Sequence, residues 1–490
     1  MAGQWLKASM MEKKELEKLS DFKWLIPRKA DMRVPAILYL SEKLLDRALL
    51  DNAPEQAVNV AGLRGIVGYS LAMPDMHWGY GAPIGGVGAF DSESGVIVPG
   101  FVGYDINCGV RLLRSGFNAQ DIKERLGDLI SGLFRNIPSG MGSVGKIKLQ
   151  KKELEDVAVG GAEWAVKKGF GTEGDLENTE GGGRIGHADA QALSKRALER
   201  GLKQLGTLGS GNHFLEIQEV SEIYDKKTAD IFGLHEGQLT VMVHTGSRGL
   251  GYQVCDDYLD RFGRVALKYN LKIPDRQLAC APCSSPEGRG YFSAMNCAAN
   301  YAFANRQIIT HWIRETFAGV LDIKQEGLKI STLYDVAHNI CKLETHSFKG
   351  RQGKYYVHRK GATRAFAAGH PELPSRYAQT GQPVIIPGTM GTSSYVLTGT
   401  STAMEETWGS TCHGAGRAMS RRQALKESRN RSIAGELMDR GILAMGASRK
   451  GLAEEMPDAY KDVDEVIAAA EGAGISRKVA RLVPLAVMKG

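Results

Sequence analysis

Residues 206–220, GTLGSGNHFLEIQEV, and residues 239–251, LTVMVHTGSRGLG, decide the fold class. In each, a histidine joins an apolar run to a glycine-rich loop: His213 leads into the run 214–220, and His244 leaves the run 239–243. Short apolar runs bounded by glycine and polar residues read as strands. Working outward, residues 192–205 place Leu193, Ala197, Leu198 and Leu205 on one side at helical spacing, and 258–269 and 300–317 also read as helices. Residues 355–366 and 384–398 read as β segments, the second broken by a glycine turn; 457–473 reads as a helix and the tail RLVPLAVMKG as a final strand. Strands and helices mix without βαβ alternation and without an internal repeat. That predicts an α+β fold in which mixed β-sheets are surrounded by helices.

No Pro- or Ser-rich linker divides the 490 residues, so one large domain over 1–490 is expected, although roughly 150 residues per domain would suggest about three. The stretch 171–186, GTEGDLENTEGGGRIG, is charged and poor in apolar residues, and reads as an exposed glycine-rich loop. Residues 1–19 lack the apolar centre of a signal peptide and read as an amphipathic helix. No run of 18 apolar residues occurs, which predicts no membrane span. Seven scattered cysteines make a poor disulfide framework and point to a reducing, cytoplasmic setting. The net charge of +7, from 62 basic and 55 acidic residues, permits a polyanionic partner.

Three groups of residues can carry chemistry. In GYDINCGV (103–110), Asp105 and Cys108 share a glycine-bounded turn. Alone they read as a turn carboxylate and a buried thiol. His213, His244 and His338 (in LYDVAHN, 333–339) each stand at the end of an apolar run, where a rigid element can mount a ligand. With Asp105 and Cys108 they make a mononuclear or dinuclear site for Mn, Zn or Fe plausible. Second, His413 precedes Gly-Ala-Gly, and residues 417–431 carry six basic residues against the single acid Glu427. A charge run is usually a solvated helix face. Arg417 and Arg421 at i,i+4 spacing would follow a helix start near Gly416, which favours a phosphate beside His413. Third, PGTMGTSSY (387–395) offers backbone N–H groups and hydroxyls in a turn that can cradle a nucleotide or merely close a hairpin. Two motifs carry nothing. GMGSVGK (140–146) lacks the Ser or Thr of a P-loop and follows a helical stretch, and Cys280 and Cys283 have no second ligand pair at zinc-finger spacing.

Taken together and in order, MPDMHWGYGAPIGGVGA, GYDINCGV, LGSGNHFLE, VHTGSRGLG, DVAHN, PGTMGTSSY and STCHGAGR resemble the RtcB family of RNA ligases, from about Leu71 to Lys489. The resemblance implies a deep cleft for metal and nucleotide. It also implies two manganese ions, one on Asp105, Cys108 and His213 and the other on Cys108, His244 and His338. His413 would attack GTP and become guanylylated, with Asp75 orienting its ring. The guanine nucleotide would meet Asn212, Phe214, Leu215, Glu216, His338, Asn339, Pro387, Gly388, Thr389, Met390, Ser394, Gly414, Ala415, Gly416, Arg417, Tyr460 and Lys489, with Arg417 holding a phosphate. Implied partners are RNA (tRNA exon halves or broken strands) and an archease-type activator. Two other functions fit parts of the pattern. A metal-dependent phosphoesterase uses the ligands but gives His413 and Lys489 no role, and a non-catalytic RNA-binding scaffold uses only the basic run.

Overall fold

The structure, a computed structural model, describes residues 11–490. Two large sheets carry the fold. One runs Ser331–Ala337, Gly109–Asn118, Gln238–Thr245, Phe214–Ile223, Ser476–Lys489, Ser394–Gly399 and Pro383–Ile386, antiparallel along this path. Its two edge strands approach each other, so it curls almost into a barrel. The other contains Ile66–His77, Ile84–Asp91, Arg351–Lys360 and Asn339–Phe348, extended at the Ile66 side by three short N-terminal strands. The strands at 214–220, 239–243, 355–366, 384–398 and 481–490 read from sequence are all present, the first extended to Ile223, and the class is α+β.

The helix expected over 300–317 is the core of Pro286–Leu321. It starts where Ser285 accepts a hydrogen bond from the Gly288 N–H (3.0 Å) ahead of Pro286, and stops at Asp322 in the left-handed region. It packs against Arg248–Lys268 and Lys151–Lys167, so even Asn300, Asn305, Arg306 and Gln307 are buried. These side chains are satisfied: Arg306 donates to the carbonyls of Asn107 (2.9 Å) and Thr245 (2.8 Å) and pairs with Asp335. The long helix thereby braces the two turns that carry Cys108 and His244.

Several expectations need correction. The helix read at 258–269 begins ten residues earlier, at Arg248, in the glycine-rich loop after His244. Of residues 192–205, Ala192 ends a 3-10 turn begun at Ala190 and only Lys195–Gly201, capped by Ser194, is α-helix. Only Val463–Gly472 of 457–473 is α-helix, after a 3-10 turn at Pro457–Ala459. Of the N-terminal helix, residues 1–10 lie outside the described residues, and 11–19 instead enter a 3-10 turn (Lys13–Glu15) and the edge strand Glu17–Ser20. The stretch 171–186 is not simply an exposed loop. It folds into a short helix (Glu173–Glu177) and a 3-10 turn that bury Asp175 and Glu180, because Arg314 meets the first at 2.7 Å and Lys342 the second at 2.6 Å. No helix among the described residues is long and apolar enough to cross a membrane.

Candidate metal and nucleotide site

Strand register assembles the site. Gly109 pairs with Ala337 on one side and Thr245 on the other, and His244 pairs with Phe214, which pairs in turn with Lys489. Cys108, His338, His244, His213 and Lys489 therefore come from the same end of five neighbouring strands, and the His338 N–H donates to the Cys108 carbonyl at 2.9 Å. Gly109 must be glycine, since a Cβ there would lie 2.5 Å from the Val336 carbonyl oxygen and 3.0 Å from the Arg306 guanidinium.

Two groups with convergent donor atoms share Cys108: Cys108, His244 and His338, and Asp105, Cys108 and His213. Cys108 Sγ lies 3.2 Å from His244 Nε2 and 3.4 Å from His213 Nε2, and the Nε2 atoms of His244 and His338 are 3.2 Å apart. One Nε2 cannot donate to both its sulfur and its nitrogen neighbour, and His244 Nδ1 is buried without a hydrogen-bond partner. Lone pairs thus converge with too few protons between them, the condition a cation relieves, so the residues fit a metal pair. Burial holds His244 and His338 well below the ordinary imidazole value, which keeps them in the neutral form that ligates. Burial and the neighbouring Asp105 push the Cys108 thiol up, so taking a cation here would release its proton.

His213 Nδ1 lies 3.1 Å from the Leu208 carbonyl, which selects the tautomer with its Nε2 lone pair facing Asp105 Oδ2 at 2.7 Å. Arg248 Nη1, 3.0 Å from the same Nδ1, favours the opposite tautomer, in which Nε2–H donates to Asp105. The first arrangement suits a loaded site and the second a metal-free one.

His413 follows the strand Ser410–Cys412, and its ring lies 4.9 Å from that of His338, centre to centre. The fully buried Asp75, from the Ile66–His77 strand, holds it: one carboxylate oxygen accepts from His413 Nδ1 (2.5 Å), His413 N (2.9 Å) and Gly414 N (3.2 Å). Burial raises the Asp75 carboxyl, but the His413 charge and these hydrogen bonds outweigh it and leave the group below its ordinary value. With Nδ1–H committed to Asp75, Nε2 is the lone-pair atom of a ring that lines the cavity.

Of the residues expected around a nucleotide, Asn212, Phe214, His338, Asn339, Pro387, Gly388, Thr389, Met390, Gly414, Ala415, Gly416, Arg417, Tyr460 and Lys489 line one cavity with His413 and His244. Leu215 does not. Strand alternation turns it to the opposite face, into the core with Leu113, Val241 and Met488. Glu216 and Ser394 stand behind the wall, where Gln218 Nε2 donates to both (2.8 and 3.1 Å), and the Ser394 hydroxyl accepts the Gly388 N–H at 3.1 Å, fixing the 387–390 turn. Burial brings both Glu216 and Lys489 to about 8.

The helix start expected near Gly416 is not there. Gly416 has φ +72°, a Cβ on it would lie 2.3 Å from the Asp75 carbonyl oxygen, and the next helix is Arg421–Glu427, capped by Ser420. Arg417 instead forms a bridge with Tyr460, lies over its ring at 5.0 Å and donates to Glu455 at 3.0 Å. Sequence reasoning missed His77, Ile84, Gly361 and Glu455 in the cavity wall. His77 lay within a quoted motif, but Glu455 carried no signal.

The fold and cluster define a metal-capable α+β protein in which a histidine held by a buried carboxylate sits in a cavity edged by cations. The model of the family described as tRNA-splicing ligase RtcB matches residues 56–490. The protein of that name from Thermococcus kodakarensis is 52% identical over 482 residues, covering 98% of this chain and all of its own. That from Archaeoglobus fulgidus is 53% identical over 97% of this chain and 99% of its own. The RNA-splicing ligase RtcB of Mycobacterium bovis is 51% identical over 89% of this chain and all of its own. The chain belongs to the RtcB family, and is an RNA ligase. The likeness starts well before Leu71, where the motifs alone begin.

Proposed function

We propose that this enzyme joins RNA 3′-phosphate ends, and 2′,3′-cyclic phosphates once hydrolysed, to 5′-hydroxyl ends with GTP and manganese, through a guanylylated His413. The observation that carries the reading is His413 held by a buried carboxylate, one ring away from the cluster and inside the cavity.

Asp75 keeps the proton on Nδ1, so Nε2 attacks the α-phosphorus of GTP. The Nε2–P bond forms as the bond to pyrophosphate breaks. An oxygen of the RNA 3′-phosphate then displaces the imidazole, leaving an RNA 3′-pp-5′-G end. The 5′-hydroxyl of the second strand attacks the RNA phosphorus, GMP departs, and the hydroxyl proton passes to solvent. Two manganese ions held by Asp105, Cys108 and His213 and by Cys108, His244 and His338 would supply positive charge against the charge developing on the phosphoryl oxygens. Asn212, Phe214, His338, Asn339, the 387–390 turn, Gly414–Arg417, Tyr460 and Lys489 would bind the nucleotide. Within that wall the Lys489 ammonium matches the acceptor edge of guanine, while Glu216 and Ser394 would support the wall from behind through Gln218. Leu215 would act only as packing. The whole of 1–490 would work as one domain, in the cytoplasm, on tRNA exon halves or broken RNA, with an archease-type protein promoting guanylylation.

Incubation with α-³²P-GTP and manganese, followed by a denaturing gel, tests this. An acid-labile label on the wild type, absent from His413→Ala, is expected. Failure of the wild type to label, even with an archease, would favour the phosphoesterase.

A further inference from the structure

Beside the metal cluster three tyrosines from separate parts of the chain line up. Tyr80 meets Tyr104 edge-on with ring centres 5.4 Å apart, Tyr104 stacks on Tyr252 at 4.7 Å, and the Arg200 guanidinium lies over Tyr252 at 5.0 Å. Tyr252 is 45% exposed, and Tyr80 and Tyr104 are half-buried. Tyr104 is bonded to Asp105, whose carboxylate meets His213 in the cluster. Nothing in the nucleotide cavity or the guanylylation chemistry uses this row, since none of the three tyrosines lines the cavity.

The surroundings indicate what the row meets. At one end the Lys195–Gly201 helix and the turn after it expose Lys195, Arg196, Arg200 and Lys203 against the acid Glu199. At the other end Tyr80 lies near the pair Asp275 and Arg276, which bring opposite charges. Aromatic faces beside a basic helix, one of them on the chain neighbour of Asp105, suit a strand whose bases are unpaired. Stacking takes the bases and arginine and lysine the phosphates, without sequence preference. A base-paired end offers no free base face.

Resting on the RNA-ligase reading, we propose that the Tyr80–Tyr104–Tyr252 row, flanked by Arg200, is the platform on which unpaired nucleotides next to the joint stack while their end enters the metal site.

The test measures affinity of metal-loaded protein for a 3′-phosphate RNA strand and for a 5′-hydroxyl strand. Each is used intact and with abasic residues next to the joint, on wild type, Tyr252→Ala, Tyr252→Trp and Arg200→Glu. Loss of one stacked base corresponds to about 5- to 150-fold in Kd. Abasic substitution should cost wild type that much on at least one strand. Tyr252→Ala should bind the intact strand as weakly as wild type binds the abasic one and lose little more on the abasic one, with Tyr252→Trp restoring the difference and Arg200→Glu weakening both strands. The idea is overturned if Tyr252→Ala binds intact RNA as tightly as wild type, or if the abasic penalty is undiminished in that variant. Labelling of His413 by GTP, which needs no RNA, is read in parallel. A wild type that does not label yet shows the base-dependent affinity would sink the ligase mechanism while leaving the platform standing.

Discussion

Replacing Asp75 with Asn keeps the shape of the residue that holds His413 and removes its charge. In the proposed reaction Nε2 gives its lone pair to phosphorus and the imidazole becomes cationic, and the carboxylate that accepts from Nδ1 at 2.5 Å is the group placed to balance it. Centres of charge about 4 Å apart interact by about 4 kcal/mol at an effective dielectric of 20, a value suited to a pair beside an open cavity. The amide dipole retains part of this, so about 3 kcal/mol should be lost from the transition state, or roughly 10²-fold in the rate of His413 labelling by α-³²P-GTP. The GTP concentration for half-maximal labelling should change little, because Asp75 does not line the cavity. A second effect is separable. The other oxygen of Asp75 is buried with no hydrogen-bond partner, so the new NH₂ placed there would be an unsatisfied donor costing about 1–3 kcal/mol of stability. Labelling is therefore measured well below the unfolding temperature of the variant. An Asp75→Asn protein that is folded and labels within about fivefold of wild type would refute the argument.

Cys108→Ser should lower metal content at both groups, since the sulfur belongs to each, and elemental analysis after gel filtration should show less than half of the wild-type metal retained. Leu215→Ala removes a fully buried core side chain and should cost about 2–5 kcal/mol in denaturant unfolding while leaving GTP binding intact, the reverse of what a pocket residue would do. Burial raises the Glu344 carboxyl, but the charge and paired hydrogen bonds of Arg359 (2.6 and 2.9 Å) carry it well below its ordinary 4.5. A carboxyl depressed on folding stabilises fully above its unfolded value and loses that contribution as pH falls through and below it. Wild-type stability should therefore decline below about pH 4.5. Glu344→Gln should cost about 3–5 kcal/mol at neutral pH by stranding buried Arg359, and show a shallower acid decline.

The chemistry was more legible in the sequence than the geometry was. His213, His244 and His338 could be singled out because each ends an apolar run, and the strands that carry them are where that pattern places them. Their meeting at Cys108 depends on strand order, which joins Ser331–Ala337 to Gly109–Asn118 across more than two hundred residues of chain and has no local signature. The same limit explains Asp175 and Glu180. A charged, glycine-rich stretch looks like a loop until Arg314 and Lys342, supplied from 139 and 162 residues away, make burial affordable.

Arg417 shows how the two kinds of information combine. Its place after His-Gly-Ala-Gly suggested a helix N-terminus offering N–H groups to a phosphate. The chain takes another route because Gly416 must pass against the backbone of Asp75, in a left-handed conformation that does not begin a helix there. What the cavity presents is a guanidinium already answered by Glu455, with Arg421 sharing the same carboxylate at 3.2 Å. Two cations on one buried acid leave a net positive charge, so an incoming phosphate needs no desolvation of a lone arginine and no rearrangement of the loop that aims His413. Glu455→Gln should then tighten binding of the GTP triphosphate while loosening the loop. The half-saturating GTP concentration should fall as the labelling rate falls, a pairing that simple loss of structure would not produce.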